Sequence, residues 1–89
     1  MKEKDFRRLS AQKVVDFFNA SPYATRNNLL VTEGDFLYVG GCQNSRLSSC
    51  FFRLISDDRM LYEVETDMRT HVVIVRRYEC RSNNVLKGY

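Results

Sequence analysis

The sequence predicts an α+β fold: one N-terminal amphipathic helix packed on an antiparallel, meander-like sheet of about five strands. Three observations carry this expectation. Apolar residues recur at helical spacing from Ala11 to Asn19. From Leu29 onward, short runs rich in Val, Ile, Phe and Tyr alternate with turn residues at hairpin spacing. No helical stretch separates those runs, which removes the crossover that a parallel sheet needs. With 89 residues, 44% of them hydrophobic and 28% charged, and with four glycines and one proline, the composition is that of one ordinary globular domain over 1–89.

The helix is expected over 11–19. Ser10 suits the N-cap, where its hydroxyl accepts a bond from a first-turn amide, and Leu9 and Val14 stand where a hydrophobic staple would form. At about 100° per residue, Ala11, Val14, Val15, Phe17 and Phe18 share one arc, opposite Gln12, Lys13, Asp16 and Asn19. Asn19 and Pro22 signal the stop, and Ser21-Pro22 suits a further short helical turn that Asn27-Asn28 would end.

The strands are expected near 29–33, 36–39, 50–56, 60–66 and 71–79. Gly34-Asp35 fits a two-residue type II′ hairpin turn between the first two. Gly40-Gly41 then end the second, and CQNSRLSS reads as a surface connection. Facing sets the next register, because a slip of one residue would turn every side chain over. Glu63 and Glu65 belong in water, which turns Met60, Tyr62 and Val64 inward, and an outward Arg53 turns Cys50, Phe52 and Leu54 inward. A three-residue loop pairing Ser56 with Met60 satisfies both, and sets Leu54 opposite Tyr62 and Arg53 opposite Glu63. A four-residue loop at Asp67–Thr70 pairs Val64 with Val73 and Tyr62 with Val75. The expected core is Val14, Phe17, Phe18, Phe52, Leu54, Tyr62, Val64, Val73 and Val75.

This facing leaves Phe51, Ile55, Leu61, Val72 and Ile74 on the outer side of the sheet, apolar residues that need a cover. They are the candidate protein-binding residues of a small non-catalytic module, an adaptor or an inhibitor or regulator of a larger protein. Its partner is another protein or a second copy of itself. A large aromatic complement, six Phe and five Tyr, fits that reading.

The alternative is nucleic-acid binding, because the net charge of +3 is unevenly spread. The segments 1–9 and 81–89 are basic, and Arg69, Arg76, Arg77, Arg81 and Lys87 with Tyr78 form a candidate phosphate-binding stripe. No RNA-recognition motif and no second helix for a helix-turn-helix accompanies it.

Catalysis is not expected. His71 is the single histidine and lies beside a turn, Asp57-Asp58 reads as a turn pair accepting backbone hydrogen bonds, and Gly40-Gly41 lacks the phosphate-loop pattern. Cys42, Cys50 and Cys80 are odd in number, with no spacing that pre-organises a zinc site, so free thiols and no metal or cofactor are expected, Cys50 as a small core residue. No apolar run is long enough to span a bilayer, and MKEKDFRR lacks the apolar stretch of a signal peptide, which predicts an intracellular protein with no membrane partner.

Overall fold

A computed structural model describes the backbone of residues 3–79 and the side chains of residues 7–79. The fold is α+β. Helix α1 (Glu3–Asn19) and the short helix α2 (Pro22–Arg26) precede a 3₁₀ turn at Glu33–Asp35 and four strands: β1 (Phe36–Gln43), β2 (Leu47–Leu54), β3 (Met60–Asp67) and β4 (Val73–Glu79). The strands form an antiparallel meander in chain order, so β1 and β4 are the sheet edges.

Helix α1 begins well before Ser10, the expected cap. Residues 3–9, EKDFRRL, contain no glycine or proline and are mostly strong helix formers, so extending the helix adds a hydrogen bond per residue without a breaker to oppose it. Ser10 instead lies buried on the packed side of the helix. That side carries Ser10, Val14, Val15 and Phe18, all buried, with Ala11 packed beside them. Phe17, expected in the core, is 39% exposed. It stands about 60° around the helix from Val14 and about 100° from Phe18, at the rim of the packed arc, where it meets the Tyr62 ring in an edge-to-face contact.

The expected second helical turn is present as α2. Ser21 caps it, its Oγ accepting from Ala24 N at 3.2 Å and donating to Phe18 O at 2.6 Å. Asn28, in the left-handed region at φ 53°, follows its C-cap.

No strand forms over 29–33, and the sheet has four strands among the described residues rather than five. The backbone groups that a hairpin would use are engaged locally. Leu29 N donates to Ala24 O, and the Asn19 side chain takes both polar groups of Val31, Nδ2 donating to its carbonyl at 3.1 Å and Oδ1 accepting from its N–H at 2.9 Å. Gly34-Asp35 sits inside the 3₁₀ turn, closed by the Asp35 carboxylate accepting from Thr32 N at 2.8 Å. Side chains that bond nearby backbone compete with a ladder, and here they win.

The partner of β1 is therefore β2, through the segment read as a surface connection. Asn44 Oδ1 accepts from Arg46 N and Leu47 N, which closes a tight loop between the two strands. Gly40-Gly41 do not end β1 but lie within it, where the register shifts between Tyr38 and Gly40. Such a bulge favours glycine: Gly40 has φ 148°, and a Cβ on Gly41 would stand 2.7 Å from Ser49 O and 2.8 Å from the Tyr38 hydroxyl.

In β2 and β3 the expected facing holds and the register does not. Phe52 pairs with Tyr62 and Cys50 with Val64, two residues from the expected match, and Arg53 stands opposite Leu61 instead of Glu63. The turn is longer than three residues because Asp57 organises it: Asp57 N donates to Leu54 O, Met60 N donates to Asp57 O, and the Asp57 carboxylate accepts from Arg59 N. The last hairpin is likewise offset by two, with Val64 opposite Val75 and Tyr62 opposite Arg77. His71, at φ 63°, belongs to its loop, which runs through Val72, two residues further than expected.

The core lies between α1 and one face of the sheet. Val14, Val15, Phe18, Ala24, Phe36, Cys50, Phe52, Leu54, Tyr62 and Val64 are buried there, and Val73 and Val75 pack against them partly exposed. Tyr62 is the aromatic hub, meeting Phe17, Phe18 and Phe36 edge to face at 6.2, 6.5 and 5.6 Å between centroids. Burial pushes its phenol above the usual tyrosine range.

Candidate functional site

The candidate site is the sheet face turned away from α1. Because side chains alternate along a strand, the inward placement of Phe36, Cys50, Phe52, Leu54, Tyr62 and Val64 turns their immediate neighbours outward. Register then assembles three outer rows across the sheet: Leu37, Arg53, Leu61 and Tyr78; Gly40, Phe51, Glu63 and Arg76; and Cys42, Ser49, Glu65 and Ile74.

The centre of this face is polar and internally satisfied. Glu63 is 9% exposed although no helix covers it. Its Oε1 accepts from the Tyr78 hydroxyl at 2.7 Å and from Arg76 Nη1 at 3.4 Å, and its Oε2 accepts from Ser49 Oγ at 3.1 Å. Arg76 Nη2 also donates to Glu65 Oε1 at 3.3 Å, so one guanidinium serves two carboxylates. The bond to Glu63 holds the Tyr78 phenol above its ordinary range, since ionising it would place a second negative charge beside the carboxylate.

Apolar side chains surround that cluster. Leu37, Ile74 and Tyr78 are 55%, 44% and 41% exposed, and Phe51 and Leu61 are half-buried. Arg53 lies among them, between Leu37 and Leu61, and no ion pair among the described residues includes it. Its Nε is shut off from solvent without a hydrogen-bond partner among those residues. An apolar surface of this kind, with its central charges already paired, offers area for docking at a low desolvation cost.

Of the candidate protein-binding residues, Phe51, Leu61 and Ile74 share this face. Ile55 and Val72 are exposed in the turns that flank it, after β2 and before β4. Arg53, expected outward, lies on the same surface, and so does Leu37, whose facing the sequence left open because its expected partner strand does not form. The candidate phosphate-binding stripe is not brought together. Arg76 and Arg77 are successive strand residues on opposite faces, Arg76 and Tyr78 are engaged by Glu63 and Glu65, and Arg69 lies in the loop before β4. Arg81 and Lys87, like Cys80, lie outside the described residues.

The two loops at one end of the sheet are tied together. Met68 N donates to Arg46 O at 2.7 Å, Arg46 pairs with Asp67 at 3.2 Å, and Asp67 accepts from the N–H groups of Arg69 and Thr70. Those bonds hold the Asp67 carboxyl below the usual carboxylate range. Cys42 is an exposed thiol, and Cys50 is buried in the core as expected. Among the described residues, no group of three or more His, Cys, Asp and Glu side chains is placed to hold a metal ion, and no helix is long and apolar enough to cross a membrane. No family model, curated protein or solved structure matches the chain.

Proposed function

We propose that this protein is a small non-catalytic binding module that docks on another protein through the helix-free face of its sheet, working inside the cell as an adaptor or as an inhibitor of a larger protein. The observation that carries this reading is the outer face itself: exposed Leu37, Ile74 and Tyr78 with half-buried Phe51 and Leu61, set around carboxylates already paired within the chain. A surface so composed loses apolar contact with water on docking and strands few bare charges. An exposed thiol at Cys42 is at home in a reducing compartment.

Affinity capture from lysate of the source cells, after nuclease treatment, tests the reading. A stoichiometric protein partner is expected with the natural sequence and is lost with Leu37→Asp and with Ile74→Asp, each of which sets a charge on exposed apolar surface without entering the core. Recovery of nucleic acid alone, or of a partner indifferent to both substitutions, refutes it.

A further inference from the structure

Resting on the docking reading above, we infer that the partner of this face is a protein that presents one acidic side chain, flanked by apolar ones, to Arg53.

Arg53 is the exception on a face whose other charges are met. The Glu63 and Glu65 carboxylates accept from Arg76, Tyr78 and Ser49, whereas no ion pair among the described residues includes Arg53. Strand pairing sets Leu37 on one side of it and Leu61 on the other, and strands lie about 4.8 Å apart, so the side chain rises half-buried between two leucines. That setting closes Nε off from solvent and leaves it without a partner. No hydrogen bond among the described residues uses Nη1 or Nη2, and neither is shut off as Nε is, so the outer end of the guanidinium is open. An arginine can take a carboxylate along its Nε edge or across its two Nη groups. Here the first edge is blocked, and the second is held by apolar neighbours and faces outward.

A partner cannot use the apolar part of this face and avoid that group. Leu37, Leu61 and Tyr78 share the row of Arg53, so whatever covers them also takes the guanidinium out of water. Burying a cation with no counter-ion is costly, and a well-placed carboxylate offsets that cost. A backbone carbonyl would bring one acceptor and no charge, whereas Asp or Glu brings two acceptors in the plane of the fork and a full negative charge. Row spacing then fixes the neighbours: apolar side chains about 5 Å to either side of the acid would meet Leu37 and Leu61. Nucleic acid suits the row less well. Its phosphates repeat, and those beyond the first would meet Glu63 and Glu65, two carboxylates that share the one guanidinium of Arg76.

A displayed library of random linear peptides, captured on the intact protein and cleared against Leu37→Ser, is the test. Peptides that need Leu37 should share one Asp or Glu with apolar residues on both sides. Their binding should weaken at least about tenfold with Arg53→Met, and equally when the peptide's acid is replaced by its amide, a change that leaves the protein unaltered. Arg53→Met should melt at or above the natural protein, because it removes the stranded Nε and keeps an apolar stem. A clearly lower melting point would mean that Nε is bonded in the free chain, and overturns the open-fork geometry. Leu37-dependent peptides with no shared acid, or with binding indifferent to Arg53→Met and to the amide, overturn the inference and leave the docking reading standing. A library that yields no Leu37-dependent peptide sinks the docking reading and the inference with it. A labelled single-stranded oligothymidine that binds the natural protein and is lost with Arg53→Met also overturns it, and puts a nucleic acid on the row.

Discussion

Asn19 closes α1, and its side chain also grips the chain twelve residues later, which makes it the most specific stability test in this fold. The amide meets Val31 as a strand would, accepting from its N–H and donating to its carbonyl at 2.9 and 3.1 Å in a half-buried setting. Asn19→Ala removes both bonds and leaves two backbone groups to find water. Each net bond is worth about 0.5–1.5 kcal/mol, and a stranded buried group costs about 1–3 kcal/mol. Because Leu30 beside it is 84% exposed, water reaches part of the site. The lower half of the stranded-group range applies to each, about 1–2 kcal/mol, or about 2–4 kcal/mol for the two groups. For a domain of this length that is a fall in Tm of about 10 °C or more, readable by calorimetry and by the urea midpoint. Asn19→Asp is the sharper variant. Its carboxylate keeps the acceptor but faces the Val31 carbonyl with a lone pair, and only the protonated form can donate to it. The introduced carboxyl is therefore raised in the folded state above its unfolded value of about 3.9. Its contribution is present below that value and lost as pH rises through the folded one, so the deficit against the natural protein is largest at neutral pH and shrinks toward pH 4. An Asn19→Ala melting point within about 2 °C of the natural protein, or an Asn19→Asp deficit independent of pH, refutes the clamp.

Two further outcomes follow from the core and its titrating groups. Phe18→Ala should cost about 3–5 kcal/mol in urea unfolding, and Phe17→Ala distinctly less, since Phe18 is 7% exposed and Phe17 39%; equal costs would mean that Phe17 is as buried as its neighbour. Stability should be flat through neutral pH and fall at both ends. The Asp57 carboxyl, held low first by its bond to the Arg59 side chain, and the Asp67 carboxyl, held low first by the Thr70 N–H, stabilise the fold above their unfolded pKa and lose that contribution as pH falls through the folded values. Tyr62 and Tyr78, both raised, contribute below about pH 10 and lose that contribution as pH rises beyond it. A urea midpoint that changes between pH 6 and 8 contradicts this assignment.

Period was legible in the sequence, and register was not. The arc of Val14 and Phe18 and the inward set Phe52, Leu54, Tyr62 and Val64 follow from spacing alone, because alternation survives any even slip. Both hairpins are offset by two residues, which kept the expected facing of the residues that lie within the strands, moved Ile55 and Val72 into turns, and left every expected cross-strand pair wrong. The expected Arg53–Glu63 pair was worth too little to fix a register, whereas the Asp57 turn and the left-handed His71 fix it through backbone geometry. The missing fifth strand has the same kind of cause. Leu29–Thr32 has a strand's composition, but Asn19 and Asp35 had already engaged its neighbourhood. The candidate site was legible to the same extent: Phe51, Leu61 and Ile74 needed only facing, whereas Leu37, and the pairing of Arg76 and Tyr78 with Glu63, needed the register.

The edges of the sheet are a reason to place the proposed docking on the face. An edge strand with free N–H and C=O groups invites another strand, and both edges here oppose that. β1 is bulged at the Tyr38/Gly40 step, which breaks the regular spacing an added strand would follow, and β4 carries Arg76, Arg77 and Glu79 within its last four residues. The outer face carries no such guard. Its charges are drawn into one central cluster by Arg76, which leaves Leu37 and Ile74 toward opposite edges as separate anchors and keeps the apolar surface from merging into one patch. One helix of 17 residues, about 25 Å long, covers one side of a four-stranded sheet. The Ser49–Glu63–Tyr78–Arg76 network lets the other side remain exposed to water, because it satisfies Glu63 and Tyr78 without a cover while the apolar rim stays available to one.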